Sequence, residues 1–385
     1  MTETIYLDHA ATTPMHPKVI DEMTDAMKNH YGNASSIHQI GRESKGILEE
    51  ARRTFARSIQ ARPHEIIMTS GGTESDNMAI IKTAEKFKNH GKHIITTAVE
   101  HPAVLEPMEH LESEGFDVTF LPVNEHGEVT LEQVKEAIRE DTILISIMYG
   151  NNEIGSLMPI NAIGNYLRES DTKIIFHTDA VQAYGTEDID VKRDNIDLLS
   201  VSAHKINGPK GIGFIYINQA IVIPRLIMGG EQENNKRAGT ENIPAIVGFK
   251  KAVELRSENK EKLRDSYGHL KALFLEELKA AGIDFKVNGS IVDSLPHILS
   301  VHIKGVSAEK LLIHLDLAKI AVSIGSACSA GNIEPSHVLI ALYDEKHPAV
   351  EETIRVSFGQ DVTEEMIRKT VDKIKSACTF LKKNR

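Results

Sequence analysis

The stretch Ser200-Val-Ser-Ala-His-Lys-Ile-Asn-Gly-Pro-Lys-Gly-Ile-Gly213 decides the reading of this chain, because it sets one lysine, Lys205, at a strand end among small polar residues. An apolar run from Ile196 to Val201, broken by Asp197, leads into it. A Gly-Pro turn at 208–209 follows, and then a second apolar run from Gly211 to Ile217. Between two such strands Lys205 is expected in a pocket and not on an open face. A partly desolvated lysine has a lowered pKa, and its freed amine can condense with a carbonyl, which is what a lysine holding pyridoxal phosphate must do. Ser202 and His204 flank it as candidate phosphate ligands.

Three further strand ends agree. Asp179, in Asp179-Ala-Val-Gln182, follows the apolar segment Lys173 to His177, at the carboxyl end of a strand where open α/β sheets bind ligands. An aspartate there can keep the cofactor's ring nitrogen protonated, and Gln182 can donate to its phenolic oxygen. The turn Thr69-Ser-Gly-Gly-Thr-Glu-Ser-Asp-Asn77 opens a helix, so that the amides around Gly72, the helix dipole and the Thr73 hydroxyl form a phosphate cradle. It lacks the Lys-Ser ending of a nucleotide P-loop. His101, in Val99-Glu-His-Pro-Ala103, ends a fourth strand and is a candidate to stack over the cofactor ring and move protons.

Together these segments resemble the class-V aminotransferase branch of the pyridoxal-phosphate enzymes, and within it the cysteine desulfurases of the NifS/IscS type. The resemblance runs through Tyr6-Leu-Asp-His-Ala-Ala-Thr-Thr-Pro14, Gly32-Asn-Ala-Ser-Ser36, Asn151-Asn-Glu-Ile-Gly155, Arg237-Ala-Gly-Thr-Glu-Asn242 and Arg355-Val-Ser-Phe-Gly359. Its most specific piece is Ser323-Ile-Gly-Ser-Ala-Cys-Ser-Ala-Gly331, which implies a mobile loop carrying a catalytic cysteine, Cys328. Small residues around a single thiol suit a loop that collects sulfur at a buried site and shows it to an acceptor. The other cysteine, Cys378, sits in the amphipathic segment Glu364 to Leu381 and reads as a structural or idle thiol. Departures from the family pattern are Met158 for a usual glutamine, Glu231 for a third glycine, Asn234-Asn235-Lys236 for an Arg-Gly turn, and Ile324 and Ser329 in the cysteine loop.

The resemblance implies a mechanism. L-Cysteine displaces Lys205 from the cofactor, with Asn152 and Arg355 holding the substrate carboxylate. Lys205 then moves the α-proton and the Cys328 thiolate takes the sulfur as a persulfide, releasing alanine, with His101 carrying protons. Thr240 is implied as a ligand to the neighbouring subunit's cofactor phosphate across a homodimer. The persulfide is expected to pass to a separate acceptor protein, an iron–sulfur scaffold or a tRNA-thiolating enzyme. Selenocysteine lyase or aminotransferase chemistry keeps the same fold and Lys205, and a non-enzymatic sulfur-relay scaffold is the remaining alternative.

Composition is consistent with this. Two cysteines in 385 residues build no disulfide framework, and a reactive thiol belongs in a reducing compartment, so the expectation is cytoplasmic. No leader and no span of about 18 apolar residues is read, so no membrane is expected. A net charge of −11 argues against direct nucleic-acid binding. No metal ligand set is expected. The predicted fold is α/β, that of a fold-type I enzyme: a large domain, 15–258, with a doubly wound, mostly parallel sheet, and a small α+β domain from 1–14 and 259–385. Strands are expected at 65–69, 93–99, 117–122, 142–149, 173–178, 197–202 and 211–217. A capping box at Thr130-Leu-Glu-Gln133 starts one helix, a charged helix is expected from Glu258 to Ala281, and another begins at Ser307.

Overall fold

A computed structural model describes residues 4–170, 172–325 and 335–383. Its centre is a seven-stranded sheet in the order Ile66–Thr69, Gly213–Ile217, Leu198–Ser202, Ile175–Asp179, Thr142–Ser146, His93–Thr97 and Asp117–Leu121. Only Gly213–Ile217 runs against its neighbours, so the sheet is mostly parallel, as expected. Six of the seven strands are buried along their whole length, because helices cover both faces and leave no solvated side; only Asp117–Leu121 at the edge is partly exposed. On one face Phe55, Phe214, Phe249 and Tyr184 pack ring against ring. On the other, Met78, Ile80, Val104 and Met108 come from the helices Gly72–Phe87 and Pro102–Ser113.

Two strands stop more than one residue short of their expected ends, at Thr97 and Ser146, and the reason bears on the site. Beyond them the backbone turns into the space above the sheet, and Glu100 Oε1 accepts from Met148 N at 3.0 Å, tying the two turns together. The strand expected from Gly211 starts at Gly213, since Gly211 has φ +75° and still belongs to the turn. The charged helix is longer than expected. It spans Ile243–Ala280, opened by Asn242, whose Oδ1 accepts from Ala245 N, and by a proline in its first turn, where a missing N–H does no harm.

A second hydrophobic core gathers Ile5 and Leu7 with residues from Tyr267 to Cys378. It packs around an antiparallel sheet of Phe285–Asn288, Ile298–Ile303 and Thr353–Ser357, and around a short parallel pair, Ile5–Tyr6 with Ile320–Ala321. Residues 10–14 then leave this core and run along the end of the main sheet. There Thr13 accepts from Asn207 N and donates through Oγ1 to His204 O at 2.7 Å, clasping the short turn Ala203–Lys205. The N-terminal segment thus holds Lys205 from above.

Candidate active site

The strand ends at 69, 97–101, 146–152, 179–182 and 202–205 surround a cavity of about 350 Å³, closed on the far side by Ala10, Ala11 and Arg355. Gly72, Thr73, His101, Asn152, Asp179, Gln182, Ser202, His204, Lys205 and Arg355, all singled out in the sequence, line it together. Thr240 is exposed and does not line it. Cys328 lies outside the described residues.

Lys205 Nζ donates to Ala10 O at 2.5 Å and Ala11 O at 2.9 Å. Burial, and after it the Arg355 charge, push its pKa down to about 8, against the opposing pull of Asp179 and Asp8. Asp179 is buried and accepts from Val181 N at 2.8 Å; burial outweighs that bond and raises its pKa to about 6. Gln182 Nε2 donates to Ala10 O. Burial, then the Lys205 charge, push His204 down to about 4, and its Nδ1 lies 3.1 Å from Thr12 Oγ1. His101 caps its helix by accepting from Ala103 N through Nδ1, which leaves the proton of the neutral ring on Nε2. Desolvation, then the Lys205 and His337 charges, hold its pKa below the usual imidazole range.

Arg355 is 3% exposed, donating to Asn152 O at 2.8 Å and to Asp8 Oδ1 at 2.9 Å, while its Nε has no partner. Part of the fork is therefore unclaimed in a lined cavity, which is what carboxylate recognition needs. The cradle expected from the Gly-Gly-Thr turn is also real. Gly71 takes φ +150°, and a Cβ on Gly72 would meet Val181 at 2.7 Å, so the backbone must approach the cavity without side chains. A Cβ on Gly213 would stand 2.3 Å from Val201 O and 2.8 Å from Gly71 Cα, which explains a glycine at the start of that strand.

Several contributors were not read from the sequence. Asp8 orients Arg355, and the Ala10 and Ala11 carbonyls hold the lysine; all three lie in a motif quoted only for its likeness. Asp76, 1% exposed, lines the cavity with Oδ1 unpaired, and burial, then the charges of Asp179 and Glu100, keep its pKa well above the usual carboxylate range. Its neighbour His177, 3.6 Å away, is kept neutral by burial between Ser146 and Ser200. Glu100 is pushed up to about 8 by burial. An acid flanked by an apolar strand and a histidine, as in Val99-Glu-His101, was the available signal.

The family model described as Aminotransferase class-V matches residues 5–369. The chain belongs to that family. IscS 1 of Bacillus subtilis (strain 168), whose desulfurase name is provisional, is 52% identical over 366 residues, 95% of this chain and 96% of the relative. A solved NifS-like protein superposes with a TM-score of 0.92 at 34% identity, covering 98% of this chain and all of the other. A structure of SspA in complex with cysteine gives 0.79 at 36% identity, over 92% and 99%. The NifS/IscS-type likeness read from the motifs is borne out. The cofactor of this family member is pyridoxal phosphate, and the residues fit it: a buried lysine of lowered pKa, a carboxylate at the cavity end, and a side-chain-free turn at a helix start, aimed at an anion.

Proposed function

We propose that this chain is a cysteine desulfurase that converts L-cysteine to L-alanine and keeps the sulfur as a persulfide on Cys328. The observation that carries the reading is one cavity holding the depressed amine of Lys205, the carboxyl of Asp179 and the part-free fork of Arg355. Arg355, with the Asn152 side chain beside it, binds the substrate carboxylate and orients the amino acid. Gly72, Thr73, Ser202 and His204 hold the cofactor phosphate, and Asp179, Gln182 and His101 hold its ring. When bound, the cofactor supplies an electron sink next to the substrate α-carbon. Lys205, with a pKa of about 8, is in part neutral at physiological pH and carries the α-proton. The Cys328 thiolate attacks the substrate sulfur. An S–S bond forms as the C–S bond breaks, its electron pair passes to the substrate carbon side, and that carbon takes a proton to become the methyl of alanine. His101, neutral with its proton on Nε2, serves the thiols.

The persulfide then passes to a cysteine of a separate protein, in iron–sulfur assembly or tRNA thiolation. The enzyme works as a cytoplasmic homodimer in which Thr240 reaches the neighbouring cofactor phosphate; its exposure outside its own chain's cavity supports this. Residues 15–258 form the cofactor domain, and 1–14 with 259–385 form the small one; the second core, drawn from Ile5, Leu7 and residues from Tyr267 onward, supports this division, while Leu295, Ile298, Val338 and Leu339 pack into the first core across it. No helix among the described residues is long and apolar enough to cross a membrane.

The test is alanine formation and labelled-sulfur transfer by cysteine variants. Cys328→Ser should keep the yellow cofactor and form almost no alanine. Cys378→Ser should do both reactions normally, because Cys378 is buried in the second core. Normal alanine formation by Cys328→Ser would overturn the assignment, and transfer lost only in Cys378→Ser would make that thiol a relay.

A further inference from the structure

The helix Ile243–Ala280 passes from the first core, which it leaves at Leu255, to the second, which it enters at Leu263 and Tyr267. Between them its inward face carries Arg256 and Asn259, about one turn apart, with Lys262 on the flank. With Ala252, Leu255 and Leu263 beside them, these residues wall a second cleft, of about 320 Å³, on the other side of the Lys205 turn. His16, Asn207, Ser266 and Gln360 complete its polar lining, and no acidic side chain among the described residues lines it.

Arg256 is 7% exposed, and its hydrogen-bond partners are neutral: Nη1 donates to Tyr267 OH at 3.1 Å and Nη2 to Asn207 Oδ1 at 2.8 Å, with the Tyr267 ring 6.0 Å from the guanidinium carbon. The other buried arginines differ. Arg52 is matched by Glu233, and Arg355 by Asp8. A buried guanidinium without a counter-charge is costly, so a ligand that supplies one is favoured there. Nearby acids are engaged elsewhere or turned away: Asp361 stands 3.6 Å from His9, Glu187 pairs with Arg264 and Asp188 with Lys260, and Glu258, Glu261 and Asp265 on the helix do not line the cleft. Lys262, exposed at the rim, has no ion-pair partner among the described residues.

We infer that this cleft is an oxyanion-binding site, distinct from the cofactor cavity, that takes a phosphate or a phosphorylated small molecule on Arg256, with Lys262 at the rim. Its occupant would touch the chain two residues from Lys205. Asn207 bonds Arg256 through Oδ1, Pro14 O through Nδ2 and Thr13 Oγ1 through its N–H, so it belongs to the clasp over the lysine turn.

The experiment is equilibrium dialysis of the cofactor-loaded enzyme with labelled inorganic phosphate, at constant ionic strength set with chloride. Loading fills the cofactor's own phosphate cradle. Wild type should bind one further phosphate per chain. Lys262→Ala, an exposed change, should weaken it roughly tenfold, the loss of one charge-assisted contact, and Arg256→Gln should abolish it. Should Arg256→Gln fail to fold, Lys262→Ala alone decides. A phosphorylated small molecule that displaces the label would identify the larger ligand, and failure of such compounds to compete would restrict the site to free phosphate. No phosphate beyond the cofactor's, or binding that Lys262→Ala leaves unchanged, would overturn the inference.

Discussion

The pKa of Lys205 is open to direct measurement. The amine is held at about 8, against an ordinary 10.5, first by burial and then by Arg355. At pH 7 about a tenth of it is then neutral, whereas an ordinary lysine would be neutral to roughly three parts in ten thousand. The shift corresponds to about 3 kcal/mol of differential interaction at a buried site. In the apoprotein, competitive labelling with trace acetic anhydride, followed by mass spectrometry of the Lys205 peptide, should give a curve half-maximal near pH 8 and flat above pH 9. In Arg355→Gln the midpoint should move up, since a positive neighbour is lost. Stability follows with a definite sign. Below pH 8 both folded and unfolded chains carry the proton and the folded one bears the whole burial cost. Between pH 8 and 10.5 the unfolded chain holds the extra proton, so this group's contribution to apoprotein stability rises with pH. Labelling that still climbs tenfold per pH unit through pH 10 would refute the desolvated-amine reasoning.

Two other expectations rest on the segment after 229. Glu233 is buried with Arg52, accepting from Nη1 at 2.7 Å, Nη2 at 2.9 Å and Met68 N at 2.9 Å, so Glu233→Gln should cost about 3–5 kcal/mol in urea unfolding; a loss under about 1 kcal/mol would show the pair to be dispensable. Mixing inactive Thr240 and Lys205 variants should restore desulfurase activity in heterodimers, one of whose two sites has intact residues. No recovery after verified subunit exchange would place Thr240 outside the partner's site.

Much of the site was legible in the sequence because its residues stand at strand ends. An apolar run that stops at Asp179, at Ser202 or before Gly71 announces both the strand and what its end presents, since in a parallel sheet those ends converge on one edge. The Asn234-Asn235 departure can be understood from residue chemistry as well: Glu233, Asn234 and Asn235 all take positive φ, 48°, 55° and 62°, and asparagine tolerates that region better than most residues when glycine is absent. Met158, where a polar residue is usual, is simply buried in the first core.

What the sequence alone determined was local: which runs form strands, which turns are free of side chains, and which lysine, aspartate and arginine bear the chemistry. What only the tertiary structure decided depends on groups far apart in the chain. That Ala10 and Ala11 hold Lys205, that Asp8 and the Asn152 carbonyl orient Arg355, and that Arg256 is buried without an acid are products of packing the N-terminal segment and the long helix between two cores. No periodicity encodes them. Desolvation decides the protonation of Lys205, Asp179 and Glu100, and burial is a property of the whole fold and not of any one stretch.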